Sequence, residues 1–109
     1  MGYRSDVCIA ISGEVKAWSL IVNNWPLILD DADRTDETTS ASYYWMDGWK
    51  WYDRYKEVNA VMKFLSEVHD QFDDPAYAFV RIGEEYEDIE VLGEPWNFGV
   101  DIHRSIQRY

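Results

Sequence analysis

Residues Tyr3 to Ser12 (YRSDVCIAIS) carry apolar side chains on both sides of one short run. Val7, Ile9 and Ile11 share one face, while Cys8 and Ala10 put small side chains on the other. A strand that must hide both faces belongs in the middle of a sheet that is covered on both sides. This requirement limits the fold more than any other feature of the chain.

The period then changes. Across Gly13 to Asn24, Val15, Trp18, Val22 and Trp25 recur at helical spacing, and Asn23-Asn24 with Pro26 supplies a stop. Pro26 to Leu29 reads as a short strand, and the polar stretch 30–42, rich in Asp, Thr and Ser, as a mobile loop. The clearest amphipathic helix follows Asp53, a suitable N-cap residue. Val58, Val61, Met62, Leu65, Val68 and Phe72 are spaced by threes and fours, and Asp73-Asp74-Pro75 ends the run. Tyr77 to Ile82 is another strand, broken by Gly83, and Gly99 to Gln107 a last one.

Between these elements lies the aromatic run Tyr43 to Tyr52 (YYWMDGWKWY). Asp47-Gly48 suits a type I′ turn, which would make a hairpin with Tyr44, Met46, Trp49 and Trp51 on one face. A single long strand would instead align Tyr43, Trp45, Asp47, Trp49 and Trp51. The hairpin arms would be very short, which favours the single strand. The order predicts one α+β domain over residues 1–109. Its plan is split β-α-β-β-α-β (ferredoxin-like), with two helices on one face of a mainly antiparallel sheet and an extra C-terminal strand.

Charge sets the partner classes. The formal net charge is −11, with 21 acidic and 10 basic residues among 109. Binding nucleic acid through its phosphates needs a basic face, so direct nucleic-acid binding is disfavoured. The abundance of Trp, Tyr, Phe, Ile, Val and Leu argues against disorder. No run approaches the roughly 20 apolar residues of a membrane span, the run Val7 to Ile11 is too short for a signal-peptide core, and Cys8 is the single cysteine. These features predict a cytoplasmic protein without a disulfide. The acid is uneven: residues 30–94 hold 18 acidic and 6 basic residues. Gly83 to Glu94 contains Glu84, Glu85, Glu87, Asp88, Glu90 and Glu94 and no base, and Asp30 to Glu37 has five carboxylates with Arg34. Solvated surface is the ordinary explanation of such runs; the sharper one is a patch that meets a basic protein.

Patterns that would carry chemistry are incomplete. Leu27-Ile28-Leu29 followed by Asp31-x-Asp33-x-Thr35 imitates an aspartyl-phosphatase nucleophile, but the chain is too short for the scaffold and second acid that this chemistry needs. As a calcium loop the stretch has Asp36 where Gly is required and Ser42 where the bidentate Glu belongs. His69 and His103 fit no metal-ligand spacing, Cys8 sits between apolar neighbours as a buried thiol, and no phosphate-binding glycine loop occurs. The aromatic run could serve as a base-stacking platform, but only Lys50, Arg54 and Lys56 are near to supply a basic groove. No catalytic residue, cofactor or metal is expected.

The opening MGYRSDVCIAIS, the middle WKWYDRYKEVNAVMKFLSEV, the block FVRIGEEYEDIE and the ending HRSI together resemble small uncharacterised proteins of phages and prophages. The resemblance covers both ends and the central helix, not residues 30–42. It implies action in the cytoplasm of a bacterial host and carries over no catalytic residue. Small acidic phage proteins often look like inhibitors of host factors, some of them nucleic-acid mimics. The expected function is therefore a non-enzymatic binding protein that engages a basic host protein through Glu84, Glu85, Glu87, Asp88 and Glu90, with Tyr86 as an aromatic anchor. The alternative is a self-associating structural or accessory phage protein, a homo-oligomer joined through an aromatic interface.

Overall fold

A computed structural model describes residues 2–73, 76–85, 87–102 and 106–108, with 101, 102 and 106–108 as backbone only. In chain order it contains β1 (Ser5–Ser12), α1 (Gly13–Val22), β2 (Arg34–Glu37), β3 (Ala41–Trp49), α2 (Lys56–Gln71), β4 (Tyr77–Ile82), β5 (Ile89–Gly93), β6 (Val100–Ile102) and β7 (Ile106–Arg108). Five strands form one antiparallel sheet in the order β2-β3-β1-β4-β5. The fold is α+β. Each helix joins strands that are separated in the sheet by one other: β3 lies between β1 and β2, and β1 between β3 and β4.

β1 is central, as its two apolar faces require. On one side Val7, Ile9 and Ile11 pack with Tyr44, Met46 and Phe79 under α1 and α2, which contribute Val15, Val58, Val61, Phe64, Leu65 and Val68. On the other side Cys8 and Ala10 join Tyr43, Trp45, Val80 and Ile82 beneath Phe98 and Val100. The Tyr43 hydroxyl ties this cover down by donating to the Phe98 carbonyl (2.8 Å). Cys8 is buried there, and its small side chain leaves room for the larger rings beside it.

α1 begins where the Ser12 side chain accepts the Val15 N–H (3.2 Å), an N-cap bond that satisfies a free helical donor. It ends at Asn23, which adopts left-handed φ of 59°. α2 starts later than expected. Its N-cap is Tyr55, with no side-chain cap bond, and Asp53 lies in the preceding turn.

Other expectations are corrected. Leu27–Asp31 is a 3-10 helix that buries Leu29 beneath α2, not a strand; a four-residue apolar run has no period that separates the two. Within the supposed loop 30–42, Arg34–Glu37 pairs with β3. The turn that joins them is built by Thr38, whose N–H donates to Ala41 O (2.8 Å) and whose hydroxyl accepts the N–H groups of Ser40 and Ala41. The fifth strand of the sheet is β5, inside the acidic segment, whereas the expected C-terminal strand is the separate two-stranded ladder of β6 and β7.

The aromatic run is one strand, but it changes face. Three residues of β1, Ser5 to Val7, oppose four of β3, from Trp49 back to Met46, so a bulge at Asp47-Gly48 shifts the alternation by one. Tyr43 and Trp45 face the C-terminal cover, while Trp49 and Trp51 join the helix-side core. The continuity is that of the single strand, and the grouping of rings is that of the hairpin.

Gly48 (φ 66°) and Gly93 (φ 71°) occupy the left-handed region, where a side chain costs about 1–2 kcal/mol. A Cβ on Gly48 meets open space, while one on Gly93 would run into the Tyr77 carbonyl. Gly48→Ala should therefore lower the unfolding free energy by about 1–2 kcal/mol, and Gly93→Ala by clearly more, as measured by urea denaturation. Equal losses would contradict this account of the β4–β5 junction.

Candidate functional site

Antiparallel pairing brings distant segments to one end of the sheet. β1, β2 and β5 begin there, and β3 and β4 finish there. The acid-rich segments around 30–34 and 83–88 therefore share this end, with Asp6, Asp47 and Asp53 near them. Four strand spacings separate β2 from β5, about 19 Å.

Some of these carboxylates organise the backbone. Two amides at the end of β3 lack ladder partners, that of Asp47 because β2 begins only at Arg34 and that of Gly48 because of the bulge, and acids satisfy both. Asp33 Oδ2 accepts from the Asp47 N–H and the Trp49 Nε1–H, both at 2.7 Å. Asp6 Oδ1 accepts from the Gly48 N–H (2.8 Å). Arg4 donates from Nη1 to the Gly48 carbonyl (2.8 Å) and from its backbone N–H to Glu84 Oε2 (3.0 Å). Most donors in this set are neutral, so the carboxylates are fixed in position while keeping their charge.

Arg81 holds the second group. It stands on β4 directly across from Glu90 on β5. Its Nη1 and Nη2 bond both oxygens of Asp88 (3.1 and 2.8 Å), its Nε bonds Glu90 Oε1 (3.1 Å), and Nη1 also reaches the Ser5 hydroxyl. A planar guanidinium suits such two-point binding. The Tyr3 hydroxyl donates to Asp88 Oδ2 (2.6 Å) and accepts the Glu85 N–H (3.1 Å). The Arg81 guanidinium, followed by the Tyr3 hydroxyl, holds the Asp88 carboxyl below its ordinary value of 3.8. The same hydrogen bond to Asp88 pushes the Tyr3 phenol up, and Asp88 likewise raises Arg81. Trp51, Tyr52, Asp53 and Arg54 border these groups around an open cleft of about 450 Å³.

Of the residues singled out in the sequence, Asp88 and Glu90 are thus half-buried and paired with Arg81, while Glu84, Glu85 and Glu87 are exposed. Tyr86 and His103 lie outside the described residues. His69 is at the far end of α2, where its Nδ1 is 3.3 Å from the Tyr77 hydroxyl. Among the described residues no three His, Cys, Asp or Glu side chains converge as a metal site, and no helix is long and apolar enough to cross a membrane.

Sequence reasoning missed Arg81, Tyr3 and Asp6, and read Asp33 only as part of an acidic run and of an incomplete phosphatase pattern. A lone Arg in an otherwise apolar strand, followed after Gly83 by acids, is a readable hint of cross-strand pairing. The contact between Tyr3 and Asp88 leaves no local trace. Comparison with protein-family models, curated proteins and solved structures finds no match.

Because Asp88 is more acidic in the folded chain than in the unfolded one, the unfolded chain takes up that proton first as pH falls. Its stabilising contribution is complete above about pH 4 and disappears as pH drops through the lowered folded value. Asp88→Asn should be less stable than the parent at pH 7 and should lose less stability between about pH 4 and about pH 2. Thermal melts across that range check this, and parallel acid limbs would remove Asp88 from the explanation.

Proposed function

We propose that this chain is a non-enzymatic, phage-type binding protein of the bacterial cytoplasm whose acidic end engages a basic host protein, in the manner of a nucleic-acid mimic or inhibitor. One observation carries the reading. Two acid-rich segments remote in sequence share one end of the sheet, and Asp6 and Asp33 there are held by neutral N–H groups that leave their charge intact. Glu84, Glu85 and Glu87 add exposed charge beside them. Fixed like charges at a surface raise the local potential and speed encounter with a cationic partner. The strand order β2-β3-β1-β4 supports assigning the split, ferredoxin-like plan, with β5 as an addition at one edge.

The test is a pull-down from bacterial lysate with the whole chain as bait. A basic protein should be retained at low salt, with binding falling at least about tenfold between about 50 mM and about 500 mM salt. The triple variant Glu84→Gln, Glu85→Gln, Glu87→Gln should retain less of it. Capture that ignores salt and the triple substitution would overturn the reading.

A second reading, self-association, is favoured by a different surface. The aromatic run is mostly internal: Tyr43, Tyr44, Trp45 and Trp51 are buried. One group of exposed apolar residues is instead aliphatic and lies on and just after the end of α1, with Leu20 63%, Ile21 83% and Leu27 75% exposed. They lie within residues 17–29, which carry no charge, so like charges do not oppose contact there. Sedimentation at micromolar concentration should give a dimer that Ile21→Lys converts to monomer; a monomeric parent chain would remove this reading.

A further inference from the structure

We propose that the outer edge of β5 is a docking edge, on which an extended basic segment of the partner protein adds to the sheet as a further strand. The inference rests on the acidic-end reading and deepens it by giving the partner a shape as well as a charge.

The argument starts from the β4–β5 ladder. Gly83 N–H donates to Asp88 O (2.8 Å) and Glu94 N–H to Tyr77 O (3.3 Å). In an antiparallel pair, bonded and non-bonded positions alternate. Residues 88, 90, 92 and 94 therefore turn their backbone groups toward β4, and 89, 91 and 93 turn theirs outward. The Ile89 N–H is taken up locally by Glu87 O (3.0 Å). Val91 is left presenting both its N–H and its carbonyl at the edge, and among the described residues no strand pairs there.

The sheet has two edges, and they differ. β2 is four residues long, wholly exposed, and carries Arg34, Asp36 and Glu37, the usual way of discouraging a further strand. β5 has no proline, no lysine and no bulge, and it exposes Ile89 (42%) and Val91 (40%) on the face away from α1 and α2. Main-chain groups at such an edge supply affinity for an added strand, and alternate side chains supply selectivity.

Charge decides the occupant. Glu84, Glu85, Glu87 and Glu90 flank or lie on this edge with no basic residue between 83 and 94. A second copy pairing through β5 would set these acids against their equivalents, which is unfavourable for like charges across a ladder. A segment that alternates basic and apolar residues meets both needs: its apolar side chains cover Ile89 and Val91, and its cations face the glutamates.

The test uses two synthetic peptides of equal length and charge, alternating Lys-Val and alternating Lys-Pro, the second unable to form a strand ladder. The chain should bind the Lys-Val peptide about tenfold more tightly, the loss expected when the edge hydrogen bonds cannot form. Val91→Pro removes the outward N–H without touching the β4 ladder and should abolish that difference. Independently of whether this variant folds, hydrogen exchange on the parent chain should show the Val91 amide protected by the Lys-Val peptide alone. If both peptides bind equally and salt-sensitively, and the Val91 amide is unprotected, edge docking is wrong while the acidic-end reading stands. If neither peptide binds, both fall.

Discussion

The requirement that β1 be covered on both faces governs the rest of the structure. Val7, Ile9 and Ile11 demand one lid and Cys8 and Ala10 another, and the chain supplies two different ones. The helices cover the first with large aliphatic and aromatic side chains. The second is covered by Phe98 and Val100 of the C-terminal segment, over a layer of rings from β3. Burying the apolar surface of a residue such as Phe79 contributes about 1.5–3 kcal/mol. In a chain this small, leaving either face open would forfeit several such contributions.

This two-sided burial explains why the bulge in β3 matters. A regular strand would send Trp49 and Trp51 toward the C-terminal cover, already filled by Tyr43 and Trp45. The shift at Gly48 delivers them to the helix side, where Trp51 packs against Phe79 with ring centroids 6.1 Å apart. The irregularity leaves the Gly48 N–H unpaired and Asp6 accepts it, while the Asp47 N–H, beyond the start of β2, is accepted by Asp33. Part of the acid excess is therefore structural. An orphaned amide costs about 1–3 kcal/mol when buried; here the Gly48 N–H is part-buried and the Asp47 N–H exposed, so the carboxylates, strong acceptors, mainly fix the geometry.

How legible each element is in the sequence follows from how many neighbours it has. β1 and α2 are buried along whole faces, so their periods are complete and their assignments hold. β2 and β5 each pair on one side only. Arg-Thr-Asp-Glu is polar throughout and Ile-Glu-Val-Leu-Gly is a short run inside an acidic segment, so neither reads as a strand, and their identity comes from β3 and β4. The aromatic run is ambiguous for a physical reason: a bulge gives a continuous strand the side-chain grouping of a hairpin. The acidic segment is plain as composition, yet its division into Asp88 and Glu90 held by Arg81 and Glu84, Glu85 and Glu87 left exposed depends on a ladder register that composition does not encode.

That division gives the β4–β5 hairpin two opposed properties. Arg81 binds the two acids nearest the sheet and so fastens β5 to β4. Among the described residues the acids farther out have no such cation, and their mutual repulsion is a cost the hairpin bears. Placed beside an edge whose Val91 backbone is open, the same repulsion guards against pairing between identical chains, a task that β2 performs with its own charged residues. An edge protected only by negative charge is closed to copies of itself and open to a strand of opposite charge. Under the proposed docking, the acid that opposes pairing of β5 with itself would also select a basic strand.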